Sequence, residues 1–170
     1  MKKEIFHKMT YGLYLLSTAH RGKYNGQIVN SAVQVSSNPL HIVFSLNKQN
    51  HSHTLLRKSK IFTLSILASD TPDRLIETFA FNSGRKIDKF KGISYSFAAN
   101  GTPFLTEYCL GYLSGRITRE IGSFTHTVFK GRVNEKKMFS DKKPLIYKWK
   151  YRVQMDRFER VASNTKNKRR

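Results

Sequence analysis

Apolar positions recur along this chain at two spacings, two residues and three to four, and the β spacing dominates. Residues 11–18 form a first apolar run. Residues 21–26 follow, with an Asn25-Gly26 pair that signals a tight hairpin turn. Residues 27–36 read as one strand. Alternation puts Val29, Ser31, Val33 and Val35 on a face suited to a core. Ile28, Asn30, Ala32, Gln34 and Ser36 fall on the other face, a row of small and amide side chains suited to a flat polar ligand. Ser37-Asn38-Pro39 ends that strand. Residues 41–46 are mostly apolar, which suits a central strand, and residues 61–67 are strand-like again.

Helical spacing appears twice. Residues 52–58 fit a short helix. A second starts at Asp70-Thr71-Pro72-Asp73, where Thr71 can cap, Pro72 suits the first turn and Asp73 favours the positive end. Leu75, Ile76, Phe79 and Ala80 form its apolar stripe, and Asn82-Ser83-Gly84 is its exit. The β pattern then returns over residues 104–106, 110–121 and 125–136, with Gly122-Ser123 as the turn between the last two. Residues 147–160 fit a strand and a helix equally. Many strands with two or three short helices predict a mainly β fold, a barrel with helical insertions.

Composition narrows the class. A chain of 170 residues with 39% hydrophobic and 12% aromatic content can bury one ordinary core. No run reaches the ~20 apolar residues needed to span a bilayer. The N-terminus lacks the apolar stretch of an export signal. The single cysteine, Cys109, excludes an internal disulfide and a multi-cysteine metal site, reads as a packed thiol, and suits a reducing cytoplasm. The net charge is +20, and residues 130–170 hold 15 Lys/Arg against 4 Asp/Glu. Such a balance attracts anions. A nucleic-acid-binding module is the competing reading, but no basic–aromatic recognition motif accompanies the charge.

Two segments concentrate candidate chemistry. Asn47-Lys48-Gln49-Asn50-His51-Ser52-His53 places hydroxyl and amide groups at a helix start, where free N–H groups favour a phosphate. Asn82-Ser83-Gly84-Arg85-Lys86-Ile87-Asp88-Lys89-Phe90 adds flexible backbone, a guanidinium for bidentate contact and a second cation. Each has a bland alternative: a plain helix cap, and a solvated loop in which Asp88 pairs with Arg85 or Lys89. His51 and His53 lack further ligands for a metal. No nucleophile–base set, paired carboxylates, Rossmann glycine motif or Walker loop is present, so a phosphorylated cofactor is the better reading.

Further pieces extend the pattern in order: Asn25-Gly26 before Asn30, Gln34-Val35-Ser36-Ser37-Asn38-Pro39, Ser45-Leu46-Asn47, Phe62-Thr63-Leu64-Ser65, Phe79-Ala80-Phe81-Asn82-Ser83-Gly84-Arg85, Gly101-Thr102-Pro103, Thr125-His126-Thr127, Gly131-Arg132-Val133 and Pro144-Leu145-Ile146-Tyr147. Together, over residues 5–150, they resemble the flavin reductase-like family, and within it the branch of archaeal ferric reductase and rubredoxin-associated flavin domains. The resemblance implies an FMN-binding split β-barrel over residues 1–152, with 153–170 a basic C-terminal tail. It also implies a homodimer with FMN near the subunit interface, NADH or NADPH as co-substrate, and delivery of electrons to free flavin, ferric complexes or a small redox protein such as rubredoxin. An FMN-binding electron carrier without efficient NAD(P)H reaction is the alternative. By position, Asn30, Gln34, Val35 and Ser36 line the isoalloxazine, and Ser45, Leu46 and Asn47 follow its edge and the ribityl chain. Ser52, Ser83, Arg85 and Lys89 hold the phosphate, with Asn50, His53 and Gly84 also in the cofactor site. His126 falls on the nicotinamide side, although Gly122-Ser123-Phe124-Thr125 departs from the family's tighter turn before it.

Overall fold

A computed structural model describes residues 8–147. The segment 148–170, with the basic tail and most of the ambiguous stretch 147–160, lies outside the described residues. The strands are β1 (Tyr14–His20), β2 (Lys23–Val29), β3 (Val33–Ser37), β4 (Leu40–Asn47), β5 (Ile61–Leu67), β6 (Tyr95–Phe97), β7 (Pro103–Leu105), β8 (Cys109–Gly122) and β9 (His126–Met138). Two helices, α1 (His51–Ser59) and α2 (Asp73–Phe81), complete the described residues. Seven strands form one antiparallel sheet in the order β2-β1-β5-β8-β9-β4-β3, and β6 pairs with β7 apart from it. This is the mainly β, split-barrel architecture expected.

The sheet must curl, because β2 and β3 are its two edges yet follow each other in the chain. Four Cα links from Val29 to Val33 span at most about 15 Å. Within this crossing segment, the Ser31 hydroxyl faces the Ser45 backbone of β4, accepting from its N–H at 3.2 Å. Inside the curl lie Leu16, Val29, Ile42, Phe44, Leu46, Leu56, Phe62, Leu64 and Phe129. A second core, between the sheet and α2, holds Leu13, Leu15, Leu67, Leu75, Ile76, Phe79, Phe90 and Leu105. Strand parity explains the division: Leu15 and Leu16 are neighbours on β1 and enter different cores. Each fully buried Phe contributes about 1.5–3 kcal/mol.

Several local expectations are corrected. The β1–β2 turn is Arg21-Gly22, both left-handed (φ 50° and 73°), as a two-residue hairpin turn requires. Asn25 and Gly26 lie inside β2 and are buried. Gly26 is there for packing, since a Cβ would press on Leu15, Phe79 and Phe90. Residues 27–36 are not one strand. The chain leaves the ladder between Val29 and Val33 to cross from one sheet edge to the other. As a result Val29 is in the core, while Val33 and Val35 on the β3 edge are 58% and 50% exposed. Thr71 does not cap α2: its hydroxyl donates to the Ala68 carbonyl at 2.6 Å, and Pro72 stands at the N-cap. The stripe Leu75, Ile76 and Phe79 is buried as read, and Asn82 ends the helix.

Candidate functional site

The two polar segments, residues 47–53 and 82–90, meet in space. Helix α1 begins at His51 directly after β4, and its N-cap, Asn50, makes no side-chain cap bond. No acidic residue occupies its first turn. The first N–H groups of a helix have no intrahelical acceptor, so this end is a positively polarised set of donors. The segment after α2 comes alongside. The Arg85 guanidinium donates to the Gln49 carbonyl at 3.2 Å and to the Thr54 hydroxyl at 3.4 Å. Ser83 folds back to accept the Arg85 N–H at 3.3 Å. Asp88 is not a partner of Arg85 here; its carboxylate accepts the Phe90 N–H at 2.9 Å.

Asn25 joins the two segments, a role hidden when Asn25-Gly26 is read as a turn. Its amide donates to the buried Ser52 hydroxyl at 2.8 Å. On its other side it lies so close to Gly84 that a Cβ there would overlap the amide. Gly84 therefore brings the 82–90 loop against β2 and, through Asn25, against α1. The local field is cationic. Burial and the neighbouring Arg85, Lys89 and Lys23 hold His51 below the usual imidazole range.

Not every residue expected at the cofactor faces the cradle. Lys89 is 5% exposed, and its ammonium donates to the Gly26 and Phe79 carbonyls, both at 3.0 Å. Burial lowers its pKa to about 8. It ties the loop to β2 and α2, and its charge reaches the cradle only through space. His53 also turns inward: its Nε2 lies 3.0 Å from the Thr127 hydroxyl and its ring packs on Phe129. Burial, ahead of Arg57, lowers its pKa. Leu46 points into the barrel core, leaving only its backbone to face a ligand. Among the described residues no group of three His, Cys, Asp or Glu could hold a metal ion.

The remaining expected residues lie along the adjoining sheet edge. Asn30 and Ser36 are half-buried, and Gln34 and Val35 are exposed on β3 and its approach. Ser45 and Asn47 share one face of β4, and Asn47 is the direct cross-strand partner of His126. His126 Nδ1 is 2.7 Å from the Thr125 hydroxyl. The turn before it is pinned rather than loose. Lys48 donates its backbone N–H to the Thr125 carbonyl and its ammonium to the Ser123 carbonyl, while Ser123 donates to the His126 carbonyl at 2.9 Å. This leaves Phe124 98% exposed at the tip.

The fold is a split barrel with a cationic, donor-rich corner beside a β edge, chemistry suited to an anionic group. The chain matches the flavin reductase like domain over residues 6–154 and belongs to that family. It is 35% identical over 153 residues to the high molecular weight rubredoxin of Moorella thermoacetica, covering 90% of this chain and 67% of that protein. It is 32% identical over 147 residues to the ferric-chelate reductase (NAD(P)H) of Archaeoglobus fulgidus, covering 86% and 87%. These relatives are of the branch expected from the sequence. Among solved structures, a putative flavin reductase from Haemophilus somnus shares the fold with a TM-score of 0.78 at 16% identity, covering 86% of this chain and 92% of that one. The flavin reductase HpaC, solved with NADP+, shares it at 0.74 and 23% identity, covering 85% and 90%.

Proposed function

We propose that this protein is an FMN-dependent oxidoreductase that takes electrons from NADH or NADPH and passes them to free flavin, ferric complexes or a small redox protein. Membership of the flavin reductase family supports the class. The convergence of Arg85 on the start of α1 is the observation that carries the cofactor assignment.

The residues present fit FMN. Uncapped N–H donors, a first turn free of acids, the Arg85 fork and the Ser83 hydroxyl suit a phosphate dianion. Asn50, Ser52 and Gly84 shape that seat, Ser52 and Gly84 through Asn25. Asn30, Gln34, Val35 and Ser36, with Ser45, the Leu46 backbone and Asn47, would take the ring and ribityl chain. His126, opposite Asn47, would stand on the nicotinamide side. FMN, when bound, supplies the redox chemistry by accepting a hydride. The protein's own part is to orient the ring, neutralise the phosphate and offer donors to the charge that develops on reduction. No side-chain acid or base is required for hydride transfer, which accords with the absence of a nucleophile–base set from the sequence.

A homodimer and a cytoplasmic location complete the reading. Among the described residues no helix is long and apolar enough to cross a membrane. The decisive test is anaerobic mixing of the purified, FMN-loaded protein with NADH and with NADPH. Bleaching of the visible flavin band by either supports the enzyme. A yellow protein that neither reduces is the electron carrier instead, and a colourless one that rejects added FMN overturns the cofactor.

A further inference from the structure

The outward side of the β8–β9–β4 sheet carries a ladder of cations that the flavin site does not use. Arg116 is paired directly with Arg132 across β8 and β9, and Arg119 with Lys130. On the next strand His41 is the partner of Arg132 and Val43 of Lys130. Like charges placed opposite one another on a sheet are destabilising. Their arrangement also depends on a bulge. Arg116 and Arg119 are three apart and would point to opposite faces of a regular strand. The register shift between Ile117 and Arg119 leaves Thr118 as the extra residue and brings both arginines to one face. The Thr118 hydroxyl fixes the bulge by donating to the Lys130 carbonyl at 3.1 Å.

No carboxylate relieves this face among the described residues. Glu120, the nearest in sequence, pairs with Phe129 on the inward side and is taken by Arg57 at 3.2 Å and by Lys60. None of Arg116, Arg119, Lys130 and Arg132 forms an ion pair with a described residue. Between and beside the cations lie the aliphatic Val43, Val128 and Ile121, the last 58% exposed. The side chains between the cations are aliphatic rather than a continuous row of aromatic rings, the platform that holds single-stranded nucleic acid. The rings nearby, His41 at one end of the ladder and Phe124 at the hairpin tip, stand apart from each other. Two copies meeting through this face would set two such ladders against each other, so the homodimer proposed above is expected to use another surface.

We infer that this face docks an acidic, one-electron-accepting protein, and that the cation ladder steers and orients that partner beside the proposed flavin edge. The inference rests on the oxidoreductase reading above. The placement suits it: the Ser45–Val128 row is the next outward row after Val43–Lys130, about 7 Å away along the strands. The stoichiometry follows from the donor. One hydride from NAD(P)H carries two electrons, so two oxidised partner molecules each take one, and one proton is released to solvent.

The test uses the full-length, FMN-loaded protein reduced with dithionite, so it does not depend on the nicotinamide reaction. An acidic rubredoxin is the probe, and its reduction is followed by stopped flow at rising ionic strength. The wild type is expected to show a second-order rate that falls steeply with salt. The double variant Arg116→Glu/Arg119→Glu should be slowed at least about 10-fold at low salt and should lose the salt dependence. Its flavin content and bleaching by NAD(P)H should be unchanged, and its thermal midpoint should hold or rise, because each glutamate then faces a cation across the strands. Arg116→Gln/Arg119→Gln, with an intermediate rate, guards against a folding defect. Equal rates for wild type and both variants would overturn the inference. It would also be overturned if the variants lost binding to duplex DNA, or shifted the oligomeric state, while reducing the probe at the wild-type rate. A protein that binds no FMN fails the functional reading instead, and that failure is visible before the probe is added.

Discussion

Arg85 and Lys89 sit four residues apart in a basic loop and have opposite surroundings. Arg85 is exposed and holds two neutral oxygens at the cradle, so a phosphate can recruit it without refolding. Lys89 is buried and holds two carbonyls of the scaffold. Arg85→Ala is therefore expected to weaken FMN binding by about 10–100-fold, the worth of a hydrogen bond to a charged group, with little change in stability. Lys89→Met should do the reverse, lowering unfolding free energy by about 1–3 kcal/mol while shifting FMN affinity only modestly. Fluorimetric FMN titration and urea unfolding of both variants check the pair, and a larger affinity loss for Lys89→Met would reverse the assignment. Titration gives His53 a separate signature. Its folded-state pKa is lowered, so below the usual imidazole value the unfolded chain binds the extra proton. The stability tied to neutral His53 is present above about pH 6.5 and is lost as pH falls below it. His53→Gln should flatten the urea midpoint between about pH 6.5 and 5 relative to wild type. An unchanged slope would show that this imidazole is not the titrating group.

The elements were legible in the sequence where local pattern and tertiary role agree. Residues 61–67 read as a strand, and β5 occupies that span because Phe62 and Leu64 fill the barrel while its ends stay in register with β8. The α2 stripe was legible for the same reason. The edge crossing at 30–32 was not, since alternation runs through it unbroken and only the curl of the sheet requires the break. Asn25-Gly26 misleads similarly: the pair has turn chemistry, but Asn25 is needed to reach Ser52 and Gly26 to admit Phe79 and Phe90. Arg21-Gly22 lacks that strong dipeptide signal and yet makes the turn. At the site, the two polar segments that come together could be singled out from residue type, but the inward turn of His53 and Lys89 could not, because charge alone does not reveal which way a side chain points. Gly84 is where three elements depend on one missing Cβ. Gly84→Ala should push Asn25 off Ser52, destabilising the fold by about 1–3 kcal/mol and weakening FMN binding together. Loss of one without the other, by urea unfolding and FMN titration, would show that Asn25 does not couple the loop to α1.

At the scale of the molecule, charge sets two equilibria against each other. A net charge of +20 draws in FMN and NAD(P)H, both polyanions, and repels a second copy of the chain. Salt screens both effects over a length of about 10 Å at 0.1 M. Raising ionic strength must therefore weaken cofactor binding and strengthen self-association, provided the copies meet through apolar and hydrogen-bonded contacts rather than ion pairs. The exposed Val33 and Val35 on the β3 edge, beside the proposed ring site, are of the kind such a contact would cover. Between about 0.05 and 0.5 M salt, the FMN dissociation constant is expected to rise and the dimer dissociation constant to fall. FMN itself should strengthen the dimer at fixed salt, since it neutralises part of the repulsion and, if it lies near the subunit interface, is held by both copies. Sedimentation velocity with and without FMN, run beside fluorimetric titrations in the same buffers, measures both slopes. Parallel slopes would mean that ion pairs, not apolar contact, hold the copies together. A dimer indifferent to FMN would place the flavin away from the subunit boundary, within one barrel alone.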